Sequence, residues 1–326
     1  MLHLAINSTA IFTSTPEGDI WDTIPQHTAL RIVGCVLMTL TVVLILAFNP
    51  ISLVVLHQVT SIRLTTKLFM ASLTIADLGN GLFWALPQLT ENIAGAWVLG
   101  DGMCKLFGIG YRTFVSLSVF SLVMMNVDRY IAIVYSLRYF RIVTVGRAKA
   151  VIGVTWVLSF VGGAGAYGFL VYRVVSRTPP HLCLWEQGGL HQLTVVIVLF
   201  TSLLTMLGLY THILVIARRQ ARRIASETHQ LPGAGRRDNG LRLRVKSATT
   251  VFLITGAVCL SWIPYIVVGA VDLPVSHEVK IFTDTLLMTN SWLNVFIYTF
   301  RNKDLRQRLN SIAAACRHQC RRSSSQ

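Results

Sequence analysis

Seven long apolar stretches constrain the fold of this chain more than any other feature of its sequence. Each exceeds the roughly 20 residues that a helix needs to cross a hydrocarbon core of ~30 Å. Because lipid cannot hydrogen-bond the backbone, a stretch that crosses it has to satisfy its own amide and carbonyl groups, as a helix does. We call them spans one to seven: 29–56, 66–93, 103–135, 148–172, 189–217, 246–270 and 279–300. The sequence thus predicts an all-α membrane protein, a bundle of seven transmembrane helices.

The basic residues predict how this bundle is oriented. With the N-terminus outside, 23 of the 29 Lys and Arg residues fall at cytoplasmic positions, and cytoplasmic loops are the ones that retain such residues. We therefore expect residues 1–28 to be an extracellular tail and 29–300 to be the seven-transmembrane domain. Residues 301–326 are expected to form a short amphipathic eighth helix and a basic tail in the cytoplasm. No cleaved leader is expected, because the first 28 residues lack both a basic segment and an apolar core.

The net charge of +15 constrains the partners. Because the basic residues are almost all cytoplasmic, they suit the anionic inner leaflet of the plasma membrane and an acidic cytoplasmic partner. Nucleic acid is not expected, since the basic loops carry no aromatic residues on which bases stack. Enzymatic activity is not expected either, because the spans contain neither a His/Asp/Glu metal constellation nor an activated nucleophile.

The segment Asn126-Val127-Asp128-Arg129-Tyr130 closes span three. At ~100° per residue, Tyr111, Ser118 and Arg129 fall within ~20° of one line along this helix. One stripe therefore carries an outer polar residue, a hydroxyl at mid-membrane and an inner Arg–Asp pair. This layout suits a protein that passes information across a bilayer, although an ordinary charge pair at the membrane boundary gives the same local pattern.

Polar residues at mid-membrane predict a hydrated or cation-binding centre. Asp77 lies inside span two, where an unpaired carboxylate costs at least ~2.5–3.5 kcal/mol, so it has to be protonated, paired or bound to a cation. Asn290, Asn294 and Tyr298 recur at every fourth position and share one face of span seven. Together with Ser118, these residues offer carboxylate, hydroxyl and amide oxygens, which suit a hard monovalent cation or a water network.

Cysteines and a sequon predict three covalent modifications. Cys104 and Cys183 are the two cysteines expected near the outer face, where the compartment is oxidising, and their pairing is the economical one. Asn7 opens an Asn-Ser-Thr glycosylation sequon on the outer tail. Cys316 and Cys320 follow an amphipathic stretch in a basic segment, which is typical of palmitoylation sites; free cytosolic thiols are the alternative.

Several motifs stand in a fixed order along the chain. They are Asn49 in span one, Leu73-X-X-X-Asp77 in span two, Cys104 with Cys183, Asp128-Arg129-Tyr130, Trp156, Tyr210, Trp262-Ile263-Pro264 and Asn294-X-X-X-Tyr298. With these motifs the chain resembles the rhodopsin-like (class A) G-protein-coupled receptors over nearly all of residues 29–316. The resemblance implies a receptor that transmits the binding of an extracellular small ligand to a heterotrimeric G protein, with arrestin as a further partner.

The resemblance also implies roles for residues at matching positions. A sodium ion, the one cofactor-like ligand expected, would bind at Asp77, Ser118, Asn290, Ser291 and Asn294. Arg129, held by Asp128 at rest, would swing toward Tyr210 and Tyr298 and open a cleft for a Gα helix. The full activation switch comprises Asp128, Arg129, Tyr130, Tyr210, Trp262, Pro264, Asn294 and Tyr298.

The chain departs from the family pattern at four positions. Ser202 in span five and Val295 in span seven stand where the family usually has proline. Val258 replaces a usual phenylalanine in span six, and Arg244 offers no acid for an ionic lock to Arg129. These departures predict appreciable basal activity or unusual coupling.

The outer pocket is expected to take a small polar or amphiphilic ligand. Span two and the loop after span three are similar to those of amine and trace-amine receptors, but Tyr111 stands where those receptors place the amine-binding Asp. Met288 stands where opsins need a lysine, which excludes retinal. Asp284 or Glu91 is available to a ligand cation, and Arg112 to an anion; the alternative for Arg112 is that it pairs internally with an acid or points toward the interface. The candidate ligand-binding residues are Tyr111, Arg112, Thr194, Trp262, Tyr265, Asp284 and Glu91.

Two other classes remain in view. A non-signalling decoy receptor of the same fold is compatible with the altered Asn294-X-X-X-Tyr298 motif. A transporter or channel is less favoured, because Asp77 is the one charge at depth and the sequence shows no internal repeat.

Overall fold

Helices form all the regular secondary structure in the part of the chain that the structure describes. The structure is a computed structural model, and it describes residues 28–173, 189–228, 256–258, 260–268 and 276–323. Spans one, three, four, five and seven are the helices Thr28–Gln58, Gly100–Val134, Val145–Arg173, Gly189–Thr228 and His277–Arg301. Span two comprises Leu64–Asn80, a π-helical segment Gly81–Ala85 and Leu86–Ala94. Residues 256–258 and 260–268 of span six are helical.

Spans one to five form helices that are long and apolar enough to cross a membrane. The helix of span seven has 25 residues, which at 1.5 Å per residue covers ~37 Å and is long enough to cross the hydrocarbon core. The helix of span five continues to Thr228, beyond the predicted end at residue 217. These lengths agree with the multi-pass membrane protein that the sequence predicts, while the outer tail up to residue 27 lies outside the described residues.

The eighth helix, Lys303–Ser323, has 21 residues and is longer than the short helix expected. It contains neither Gly nor Pro, and Ala313, Ala314 and Ala315 favour its continuation. Asn302 caps its start, with Oδ1 accepting the backbone amides of Asp304 and Leu305. Its apolar face, Leu305, Leu309 and Ile312, packs against the core of the bundle.

Spans two and three approach closely because each offers a glycine to a phenylalanine of the other. A Cβ atom at Gly79 would lie 2.1 Å from the ring of Phe114, and one at Gly110 would lie 2.3 Å from the ring of Phe83. The two rings stack on each other with centroids 5.1 Å apart. Small residues allow such close approach between transmembrane helices. The reciprocal pair sets the distance between the two spans that carry Asp77 and the Asp-Arg-Tyr segment.

Candidate functional site

Asp77 lies at the centre of a polar cluster formed by spans two, three and seven. Its side chain is fully buried. Ser118 donates a hydrogen bond to Asp77 Oδ1 at 2.6 Å, and the Asn294 amide donates one to Oδ2 at 3.3 Å. Both donors are neutral, and no basic side chain among the described residues forms a salt bridge with this carboxylate. The cluster is therefore suited to a cation, which would supply the missing positive charge.

Neighbouring amide oxygens support this view of the cluster. The Oδ1 atoms of Asn80 and Asn290 are buried and accept no hydrogen bond from the described residues. A buried acceptor without a donor costs free energy, which a water molecule or a cation removes. Ser291 is also buried, and its backbone carbonyl accepts a hydrogen bond of 3.2 Å from Asn49 Nδ2. Asn49 thereby joins span one to span seven next to the predicted ion site.

Arg129 and Asp128 form an ion pair near the C-terminal end of the helix of span three. Arg129 Nη2 lies 2.6 Å from Asp128 Oδ2, and Nε lies 3.2 Å from the same oxygen. Arg129 Nη2 also donates to Thr66 Oγ1 of span two at 2.5 Å. The carboxylate is almost completely buried, whereas the Arg129 side chain is 33% exposed. This is the arrangement in which Asp128 holds Arg129.

Tyr139, in the loop helix Tyr139–Ile142, covers the other oxygen of Asp128. Its hydroxyl donates to Asp128 Oδ1 at 2.6 Å and lies 3.3 Å from Thr65 Oγ1. Burial, with the Asp128 hydrogen bond as a second cause, raises the pKa of the Tyr139 hydroxyl. The hydroxyl therefore stays protonated at neutral pH. The guanidinium of Arg63 lies over the Tyr139 ring at 4.8 Å and over Phe140 at 3.8 Å.

Thr66 and Tyr139 were not predicted from the sequence. Thr66 lies 62 and 63 residues before Asp128 and Arg129, on another span. Tyr139 lies 11 residues after Asp128, beyond the end of the helix of span three, so no periodicity within one span connects either contact. The sequence offers one signal for these contacts. Thr66 at the start of span two and Tyr139 just after span three carry hydroxyl groups near the same end of the bundle as Asp128 and Arg129, which offer an acceptor and a donor.

The other predicted switch residues lie on spans three, five, six and seven. Tyr130 OH lies 2.9 Å from His212 Nδ1, which links spans three and five. Tyr130 and Tyr210 pack against a small cluster of Ile133 and Ile213. In the central core, Trp262 is 2% exposed and Tyr298 packs at the edge; Pro264 is half-buried.

Of the four departures, three lie on described residues. Ser202 and Val295 sit inside helices that continue unbroken through them, and Val258 is buried. Arg244 lies outside the described residues.

Three aromatic side chains from spans two, three and six form a cluster at the place where the sequence predicts the ligand pocket. The ring of Trp84 lies 5.1 Å from that of Tyr111 and 6.5 Å from that of Tyr265. All three are buried. The position of Trp84 was not predicted from the sequence, because its orientation depends on the π-helical segment Gly81–Ala85. The extra residue in a π-helical turn rotates the residues that follow it around the helix axis.

The polar residues predicted for the ligand pocket differ in burial and in hydrogen-bond partners. The Gln88 amide of span two lies 3.4 Å from Asp284 Oδ2 of span seven. Arg112 is 3% exposed and donates to the carbonyl oxygen of Gly108 at 2.9 Å. Glu91 is half-buried in span two. Thr194 lies in the helix of span five, but its side chain lies outside the described part.

The modification sites are only partly covered. Cys104 is buried near the start of span three and is disulfide-bonded. Cys183 and Asn7 lie outside the described residues. Cys316 and Cys320 lie in the eighth helix, with side chains outside the described part. The pairing, the glycosylation and the palmitoylation therefore stay predictions.

The sequence of this chain matches one family profile and several known receptors. The sequence profile of the family described as "7 transmembrane receptor (rhodopsin family)" matches residues 48–298. The chain is 30% identical to "Adenosine receptor A2a" of Homo sapiens over 273 residues, which cover 78% of this chain and 65% of that receptor. It is 30% identical to "Galanin receptor type 1" of Mus musculus over 255 residues, 75% of this chain and 70% of that receptor. It is 27% identical to "Trace amine-associated receptor 9" of Rattus norvegicus over 251 residues, 72% of this chain and 73% of that receptor.

Proposed function

Because this chain belongs to the rhodopsin family of seven-transmembrane receptors, we propose that it converts the binding of an extracellular small ligand into activation of a heterotrimeric G protein. The N-terminus faces outward from the plasma membrane, and arrestin is a further cytoplasmic partner. The proposal treats the chain as a receptor rather than an enzyme. The chain spans 65% of the length of the human adenosine receptor. Receptor activity of the whole protein is therefore part of the proposal.

The observation that carries the proposal is the ion pair at the inner end of span three. Arg129 is restrained by two contacts to Asp128 and one to Thr66. A released Arg129 would leave the inner end of span three free to accept a G-protein helix. An agonist shifts the equilibrium between the held and the released state of Arg129 by binding the released state more tightly. The size of the shift is limited by the difference between its affinities for the two states.

A sodium ion at Asp77 fits the same scheme as an allosteric ligand. Asp77, Ser118, Asn290, Ser291 and Asn294 would hold it with carboxylate, hydroxyl and amide oxygens. The buried acceptors of Asn80 and Asn290 favour an occupied site. A cation there would bind spans two, three and seven together and stabilise the arrangement in which Arg129 is held.

The ligand pocket favours a small molecule with a flat apolar part and a polar edge. The Trp84, Tyr111 and Tyr265 rings offer aromatic faces, and aromatic pairs prefer offset or edge-to-face contact. The Gln88–Asp284 pair offers a donor and an acceptor to the polar edge. Arg112, Thr194, Trp262 and Glu91 complete the proposed set.

A decoy receptor of the same fold is the alternative; the matching receptors do not favour it, and it rests on Val295, which stands where the family usually has proline. Valine keeps the backbone amide and lacks the ring by which proline bends a helix, so no proline-induced bend is expected at this position of span seven. A receptor that binds its ligand without this bend would not rearrange at its inner end.

Ligand-free G-protein activation separates the two candidates. We would express the parent chain, Arg129→Ala and Asp77→Asn, with Arg138→Ala as a control that removes an equivalent charge from an exposed loop position. Surface expression is measured in parallel, and each Gα class is tested. Activity that Arg129→Ala abolishes and Arg138→Ala retains supports a signalling receptor. If neither the parent chain nor any variant activates a G protein, even after addition of a ligand that binds the parent chain, the protein is a decoy receptor.

A further inference from the structure

An apolar crevice lies between the inner halves of spans one and seven and the start of the eighth helix. It encloses about 80 Å³, and seven of its nine lining residues are aliphatic or aromatic. The lining consists of Phe48, Ile51, Ser52, Val55, Val295, Phe296, Thr299, Phe300 and Leu309. Ile51, Phe296 and Phe300 are 43%, 40% and 51% exposed, so the crevice opens on the outer surface of the bundle.

The depth of the crevice corresponds to the inner leaflet. Val55 lies one turn before Gln58, where the helix of span one ends, and Phe300 directly precedes Arg301, where the helix of span seven ends. Ile51 lies seven residues from Gln58, or ~10 Å along the helix. Hydrocarbon chains of the cytoplasmic leaflet surround the bundle at this depth.

A guanidinium group stands at the cytoplasmic rim of the crevice. Arg308, which directly precedes the lining residue Leu309, donates from Nε to Gln58 Oε1 at 2.9 Å. This contact is with a neutral amide and leaves the charge of Arg308 uncompensated. Asp304, one turn earlier, instead accepts a hydrogen bond of 2.6 Å from Ser61. Among the described residues Arg308 forms no salt bridge.

We propose that an anionic phospholipid of the inner leaflet binds at this place. One acyl chain fills the crevice, and the Arg308 Nη groups donate hydrogen bonds to the phosphate oxygens, as guanidinium groups commonly do. Lys303 adds to the positive potential at the start of the same helix. A zwitterionic headgroup gains less, because its own cation competes with Arg308 for the phosphate.

The site differs from the proposed ligand pocket and from the proposed ion site. Its wall includes Val295, one of the departures from the family pattern, so the bound chain touches span seven between Asn294 and Tyr298. Binding does not depend on whether the chain activates a G protein. Lipid binding and G-protein activation are therefore tested independently, and failure of one does not imply failure of the other.

Photo-crosslinking tests the proposal on the full chain. The protein is reconstituted in phosphatidylcholine nanodiscs containing phosphatidylserine with a diazirine in one acyl chain, irradiated, and mapped by peptide mass spectrometry. We expect crosslinks within residues 48–55 and 295–300. Arg308→Gln keeps a side chain able to bond Gln58 but removes the charge, and should lower crosslinking about tenfold. Arg306→Gln, which removes the same charge about 200° around the helix, is the matched control.

A second variant tests the apolar half of the site. Ser52→Phe fills the crevice and should abolish crosslinks within 48–55, while the melting temperature in phosphatidylcholine checks that it folds. Equal crosslinking by a diazirine phosphatidylcholine, or an Arg308→Gln result equal to that of Arg306→Gln, overturns the proposal. Displacement by cholesterol but not by unlabelled phosphatidylserine overturns it in favour of a sterol. Crosslinks that appear only in a Cys316→Ala/Cys320→Ala variant overturn it in favour of the chain's own acyl group.

Discussion

The hydroxyl of Tyr139 donates a 2.6 Å hydrogen bond to Oδ1 of Asp128, on the opposite side of the carboxylate from Arg129. The short loop after span three is thereby tied to the residue that restrains Arg129. One carboxylate thus joins span three, span two through Thr66, and the loop. Changes at any of these contacts should alter both stability and the restraint on Arg129.

Tyr139→Phe should lower the free energy of unfolding by about 1.5–3 kcal/mol. The ring stays packed, but the buried carboxylate loses a donor, and hydrogen bonds to charged groups contribute about this much. Thermal unfolding in detergent measures the change. Leu137→Ala, at a neighbouring position that is 98% exposed, should have little effect. An unchanged melting temperature for Tyr139→Phe would show that the loop does not depend on this bond.

Thr66→Val should raise ligand-free signalling by about threefold or more. Valine keeps the shape of threonine but cannot accept the Arg129 hydrogen bond, so the held state loses part of its stabilisation. G-protein activation without ligand, normalised to surface expression, is the measurement. Thr65→Val is the matched control, because Thr65 contacts Tyr139 and not Arg129. Equal activity in the two variants would contradict the restraint by Thr66.

Asp77→Asn should abolish a sodium-dependent gain in thermal stability. An ion that binds the folded state alone adds about 1.4 kcal/mol at ten times its Kd, which corresponds to a few degrees in melting temperature for a protein of this size. Melting is compared in sodium and in choline chloride at equal ionic strength. Asp101→Asn changes an exposed acid and should keep the sodium effect. A parent chain that melts at the same temperature in both salts has no such site.

Gly79→Ala and Gly110→Ala should each destabilise the bundle by about 1–3 kcal/mol, the usual range for overpacking. The new methyl groups would overlap the rings of Phe114 and Phe83. Gly102→Ala is the control, since a Cβ there meets no described atom within 4 Å. Phe114→Leu should rescue Gly79→Ala but not Gly110→Ala, and melting temperatures of the double variants decide this. Rescue of both would mean that general loosening is measured, not the specific contact.

Membership of the rhodopsin family confirms the class that the ordered motifs indicate. Motifs such as Asn294-X-X-X-Tyr298 are local in sequence. Their order along the spans can be recognised without knowing how the helices pack against one another. The identities of the ligand, sodium and palmitoylation sites stay predictions. They depend on groups from separate spans or on modifications that no single span encodes.

The sequence by itself determined the helical spans and the residues that share a stripe within one span, because bilayer thickness and backbone hydrogen bonding act on each segment separately. Tertiary structure alone decided the partners: Thr66 and Tyr139 beside Asp128, Trp84 beside Tyr111, and Phe114 against Gly79. These contacts depend on how far each helix is rotated and shifted against its neighbours. Close packing of small and large residues sets that rotation, and the π-helical turn at Gly81–Ala85 changes it partway along span two.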